Sequence, residues 1–256
     1  MPDTARTVRL IEAHIAEAYR AEGSVPGVEL HDDDDVTWVV HCGSAWRNSA
    51  VMLRLTPSSA ARRIKTILRR YERHKRGAGF WISPLSTPSH LPELLSAQHL
   101  HCRKYFPAMI RDADTAPRPV SSPPGVEILP LDATTGAVGW TKTARGRCEV
   151  ERLRVLLADR QGRTRVFVAR VDGTEAGRVE LFVGTECSGI HGITVDESLQ
   201  GRGIGSALLD RACQEAATAC SPAVVLLATT EGQRLYERRG FAEVARFGYW
   251  YRSFQR

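Results

Sequence analysis

Apolar positions along the chain follow two rhythms, and the switch between them marks its elements. In the stretch 58–77, Ile64, Ile67, Leu68 and Tyr71 recur at i, i+3, i+4 and i+7, the spacing of a helix with one buried face. By the same reading helices cover 5–22 and 89–100, and strands cover 36–42, 49–55, 79–83 and 103–112. The second half alternates more regularly. A strand at 125–131 precedes a helix at 148–160, with Val150, Leu153, Val155, Leu156 and Leu157 near one face. Strands 164–173 and 176–184 flank Asp172-Gly173, a dipeptide suited to a tight hairpin turn. A third strand covers 189–195, and a helix from 203 to 219 is stopped by Ser221-Pro222. "AVVLLATT", 223–230, is apolar almost throughout, as a strand covered on both faces should be. A short helix at 232–240, capped by Gly240, and an aromatic strand at 241–252 complete the pattern. The fold class is α/β, with a mixed sheet of α+β character. The order strand, short helix, aromatic strand over 79–112 echoes 223–252, which points to an old duplication.

Prolines divide the chain. Pro117, Pro119, Pro123 and Pro124, with Ser121 and Ser122, fill a stretch that can sit in neither helix nor central strand. The expected organisation is an N-terminal α/β domain over 1–113, a linker at 114–124 and a second domain over 125–256. The residues up to Arg118 carry a net +4 and the remainder +2, so neither half is a charged tail. The whole chain carries +6, which favours anionic partners without choosing among them. Helix 58–77 alone holds eight Lys or Arg and one Glu, and reads as an amphipathic helix with a solvated basic face. Asp32 to Asp35 read as a solvated loop, the alternative being a run that draws a cationic acceptor.

The longest apolar run, 223–228, is too short to span a bilayer, and no stretch at the N-terminus has the form of a signal peptide. The expected setting is the cytoplasm, with no membrane partner. Six scattered cysteines without a CxxC pair argue against a disulfide framework. His41-Cys42 and His101-Cys102 lack a second pair at ligand spacing, so no metal is expected.

The stretch "LQGRGIGSALLD", 199–210, places Gly201, Gly203 and Gly205 between a strand and a helix. Such a turn presents backbone N–H groups at the positive end of a helix dipole, a physical site for phosphate. A Walker P-loop needs Lys-Ser/Thr after its last glycine, and none follows. A dinucleotide fingerprint fails at Ser206 and needs more downstream strands than about 50 residues allow.

Gln200-Gly201-Arg202-Gly203-Ile204-Gly205 resembles the Q/R-x-x-G-x-G/A signature of the GCN5-related N-acetyltransferase (GNAT) superfamily. "LYERRGF", 235–241, resembles the L-Y-x-x-x-G-F segment of the same family. The resemblance covers residues 125–252, and implies the GNAT acyl-CoA N-acyltransferase fold there. The first half is expected to be a smaller GNAT-like domain, degenerate because it lacks the glycine turn. By the resemblance, amides from Gly201 through Arg202, Gly203, Ile204 and Gly205 to Ser206 cradle the pyrophosphate of acetyl-CoA. Ile193, Thr194 and Val195 line the pantetheine arm, Gln200 belongs to the signature, and Thr229 stands where the family often has Asn. Glu197 departs from the family's common Pro. Arg202 and Arg234 are candidates for phosphate contact.

The resemblance further implies direct transfer of an acetyl group to an amine, with Tyr236 at the position of the general acid. The base is open between His191 and Glu180. His191 shares the face of Ile193 and Val195 if the strand alternates regularly, and Glu180 lies on the neighbouring strand. The acceptor is a small-molecule amine or a peptide or protein amine, and nucleic acid is not expected as a partner. A monomer and a homodimer are both compatible with the sequence. The alternative is a non-catalytic acyl-CoA sensor or adaptor.

Overall fold

The computed structural model describes residues 3–41, 48–112, 119, 121–132 and 144–254. They form six α-helices and eleven strands. The chain divides into two compact units: residues 1–107, 139–152 and 244–256, and residues 108–138 and 153–243. These units draw on both sides of the proline-rich stretch, of which 114–118 and 120 lie outside the described residues.

In the first unit the strand order is β1 (Glu29–Asp33), β2 (Val36–Val40), β3 (Ser49–Val51), β4 (Ala78–Ile82), β11 (Ala242–Arg252) and β5 (His101–Asp112). Gly248–Arg252 of β11 pairs antiparallel with β4, so the sheet takes in the last strand of the chain. Helix α1 (Thr4–Glu22) starts where the Asp3 carboxylate accepts from the Ala5 amide, and it buries Val8, Ile11, Ile15 and Tyr19. Helix α2 (Ala60–Arg73) buries the whole expected stripe of Ile64, Ile67, Leu68 and Tyr71, each side chain contributing about 1.5–3 kcal/mol. The Tyr71 hydroxyl, deep in that core, donates to the Val39 carbonyl at 2.8 Å.

The acidic run is not a loop. Glu29–Asp33 forms β1, paired antiparallel with β2, and Asp34 and Asp35 make the turn of the hairpin. Cations from α1 and α2 pair with most of its charges. Arg20 donates to Asp32 at 2.6 and 3.0 Å, Thr37 donates to Asp32, and Arg63 meets Asp33 and Asp35. Arg70 and His74 meet Glu29. The hydrogen bonds from Arg20 and Arg70 hold the Asp32 and Glu29 carboxyls below their ordinary range. The sequence pattern failed here because four consecutive Asp hide the period of two; the paired cations come from α1 and α2, far along the chain.

His41 is fully buried, with Nε2 3.5 Å from Glu22, while Cys42 lies outside the described residues. Arg152, in helix α4 (Ala144–Leu157), is also fully buried and reaches Glu22 and Glu149. No group of His, Cys, Asp and Glu among the described residues has the arrangement of a metal site. No helix among them is long and apolar enough to cross a membrane.

The second unit runs β5, β10 (Ala223–Leu227), β9 (Ser188–Val195), β8 (Thr174–Val183), β7 (Thr164–Val171) and β6 (Val126–Pro130). Its share of β5, Ala108–Asp112, pairs antiparallel with β10. The first unit thus takes in most of β11, from the end of the sequence, and the second takes in the Ala108–Asp112 end of β5, from the first half; these are the echoing aromatic strands. The hairpin at Asp172-Gly173 forms with both residues at positive φ, 50° and 74°. Helix α5 (Ile204–Thr218) lays Ile204, Leu208, Leu209, Ala212 and Ala216 on Phe167, Val179, Leu181 and Ile190 of the sheet.

Candidate functional site

Strand β9 pairs with two neighbours over different lengths. On one side β8 accompanies it from Ser188 to Val195. On the other, β10 runs parallel to it only through Ser188–Ile190 and then ends at Leu227. Gly192–Val195 therefore has no ladder partner on that side among the described strands. The sheet opens where the expected pantetheine contacts Ile193, Thr194 and Val195 lie, and it leaves backbone groups that seek a partner.

The glycine turn follows directly. Asp196 accepts from the Ser198 amide and hydroxyl, capping a 3-10 turn at Glu197–Leu199, and the Gln200 side-chain amide donates to the Val195 carbonyl at 3.3 Å. Those bonds hold the Asp196 carboxyl below its ordinary range. Gly201 has φ 78° and Gly203, the N-cap of α5, has φ 86°, both in the left-handed region. Gly205 differs. A Cβ there would meet Val195 at 3.6 Å and Leu235 at 3.8 Å, ordinary contact distances. Two of the three glycines are therefore required by backbone sign, and the third is not.

Helix α5 has no side chain capping its N-terminus and no acidic residue in its first turn. Its first helix bond runs from the Ala207 amide to the Gly203 carbonyl, which leaves the Ile204, Gly205 and Ser206 amides at the positive end of the dipole. Arg202 beside them is exposed. The arrangement fits a phosphorylated group: unsatisfied amides, a positive dipole, a neighbouring cation and glycine approach.

Helix α6 (Thr230–Glu237) follows β10. Thr229 is its N-cap, and the hydroxyl expected near the cofactor accepts from the Gly232 amide at 3.1 Å. Thr229→Ala should lose this cap, about 1 kcal/mol. The expected drop of about 2–4 °C in the thermal midpoint is measurable by circular dichroism. Tyr236 lies in the last turn, 9% exposed, its ring edge-on to Phe241 at 5.8 Å. Burial pushes its phenol up to about 12. Leu235 reaches toward Gly205, so α6 lies beside the turn.

The base candidates bring a correction. The β8–β9 register passes from Leu181↔Ile190 to Glu180↔Gly192, so His191 is an extra residue, a β-bulge. The bulge reverses the alternation. Ile193 and Val195 pack on the α5 face, in line with Val179 and Leu181. His191 lies on the other face with Glu180 and with Phe182, whose ring it meets edge-on at 6.2 Å. His191 thus does not share the face of Ile193 and Val195, and it joins Glu180 instead.

Two further residues escaped the sequence pattern. Asp210 of α5, 7% exposed, accepts two hydrogen bonds from Arg239, just beyond α6. An Asp inside the apolar run of "SALLDRAC" was the available signal. Asp196 was legible as an Asx turn in "DES".

Residues 162–243 match the family model of the acetyltransferase (GNAT) domain. A GCN5-related N-acetyltransferase from Kribbella flavida shares the fold at a TM-score of 0.68 and 14% identity, over 95% of this chain and 94% of that one. One from Sphaerobacter thermophilus does so at 0.59 and 16% identity, over 100% and 95%. A tandem GNAT protein from the clavulanic acid biosynthesis pathway does so at 0.58 and 14% identity, over 98% and 96%. No curated protein matches the chain by sequence. The chain has the α/β fold of the GCN5-related N-acetyltransferases, and the tandem neighbour is consistent with two GNAT-like domains. Domain match and fold together support acyl transfer as the general chemistry.

Proposed function

We propose that the chain is an acetyl-CoA-dependent N-acetyltransferase acting on a primary amine of a small molecule, peptide or protein, with its cofactor cradle in the second unit. The observation that carries this reading is the open side of Gly192–Val195 leading into the uncapped N-terminus of α5. A pyrophosphate fits the amides of Ile204, Gly205 and Ser206 beside Arg202, and a pantetheine arm fits the unpaired edge of β9 as an added strand.

When bound, acetyl-CoA supplies the acetyl group as a thioester. An alkylammonium, with a pKa of about 10, must lose a proton before its nitrogen can attack. His191 and Glu180, on one face of the sheet through the bulge, are the two candidates for taking that proton, directly or through water. The amine nitrogen bonds to the carbonyl carbon, and the strand amide of Val195 serves the oxygen that gains charge. As the carbon–sulfur bond breaks, Tyr236 gives its phenolic proton to the sulfur. Held up to about 12, the phenol is protonated at neutral pH, and the desolvation that raises it raises the basicity of the leaving thiolate as well.

The test is purified protein with acetyl-CoA and a panel of spermidine, an aminoglycoside and a lysine-bearing peptide, read by thiol release and by mass spectrometry of the amines. Acetylation of one panel class is expected. Tight acetyl-CoA binding with no turnover on any amine would favour the sensor reading, and absence of binding would remove both.

A further inference from the structure

We infer that Asp210 and Arg239 are positioning residues that lock the Tyr236 turn onto the cradle helix, an inference that rests on the reading of Tyr236 as proton donor. Arg239 Nε and an Nη donate to the two carboxylate oxygens of Asp210 at 2.8 and 3.2 Å. This is a fork-on-fork pair, with side chains only 20% and 10% exposed. Such a pair fixes orientation as well as separation, which a lysine point charge does not.

Its two ends belong to the two halves of the proposed chemistry. Asp210 is six residues into α5, about 9 Å along the helix from Ile204. Arg239 closes the turn after α6. Its own amide and that of Phe241 both donate to the Tyr236 carbonyl, at 2.9 and 3.1 Å. The Tyr236 ring itself lies in an apolar core that also holds Phe241, Ala228 and the α5 side chains Leu208 and Leu209. Apolar packing is non-directional. The guanidinium fork is a directional link between the helix of the proposed cradle and the turn that follows Tyr236. It also gives a partner to a carboxylate that α5 buries beside Leu208 and Leu209.

The experiment compares Arg239→Lys, Tyr236→Phe and the double variant on the intact chain, using acetyl-CoA with the panel amines. Arg239→Lys should lower kcat about tenfold and leave the acetyl-CoA dissociation constant within about twofold. In the Tyr236→Phe background it should cost little more, since a residue acting through Tyr236 has nothing left to position. A readout without turnover accompanies this. With 3-fluorotyrosine incorporated, the resonance lost in Tyr236→Phe identifies residue 236, and Arg239→Lys should broaden or split it. Additive losses in the double variant, a weaker affinity with unchanged kcat, or an unaltered resonance would each overturn the inference alone. Full activity of Tyr236→Phe would overturn the proton-donor reading, and this inference with it. Asp210→Asn, which keeps shape and one acceptor, guards against a variant that does not fold. It should reproduce the kcat loss in milder form.

Discussion

Gly203→Val should weaken acetyl-CoA binding by at least about a hundredfold, or about 2.7 kcal/mol, in isothermal titration. Gly203 holds φ 86° and ψ −4° as the N-cap of α5, and an added Cβ would lie 3.4 Å from the Pro123 ring. A β-branched residue is a genuine outlier in that region, and the left-handed backbone costs about 1–2 kcal/mol even before branching. The turn escapes by moving to negative φ, which re-aims the amides of Ile204, Gly205 and Ser206. The damage to stability is bounded because the turn is exposed, so the thermal midpoint should fall by only a few degrees. Gly205→Ala is the contrasting variant. Its methyl meets Val195 and Leu235 at ordinary distances, and alanine suits a helix better than glycine by about 1 kcal/mol. Affinity within about threefold of the parent and an unchanged or raised midpoint are expected. Equal affinity in Gly203→Val and the parent protein would remove the cradle assignment.

Tyr236→Phe should lower kcat by about a hundredfold and leave acetyl-CoA affinity within about twofold. The change removes one oxygen and keeps the ring that packs on Phe241 and beneath Gly232, so the core is undisturbed. The pH profile provides a separate check. With its phenol held at about 12, Tyr236 stays protonated across the neutral and mildly alkaline range, so the parent rate should show no falling limb from this residue there. Stability has a matching sign. The folded value lies above the unfolded one of about 10, so Tyr236 contributes fully below pH 10, and the contribution is lost as pH rises through about 12. Unchanged turnover in Tyr236→Phe would reassign the proton donor.

Local pattern carried most elements. The stripe of α2, the hairpin at Asp172-Gly173 and the strand–turn–helix around Gly203 depend on neighbours within a few residues, and all three form as the sequence reads. The acidic hairpin did not show itself, because the cations that pair with it, Arg20, Arg63 and Arg70, sit on helices separated from it in sequence. His191 is the sharper case. Alternation is a local rule, but a bulge is decided by how two strands register, and one extra residue moves every later side chain to the other face.

The sequence by itself determined the elements, the phosphate-ready turn and the tyrosine that follows it, since each is written in spacing and in residue types with local conformational needs. Only the tertiary structure decided the rest. It ended the pairing of β9 with β10 after Ile190, put His191 on the face of Glu180, joined Asp210 to Arg239 and gave each unit part of a strand from the other half of the chain. These are choices of partner between segments far apart in sequence, and strand register and ion pairing fix them only once the chain has folded.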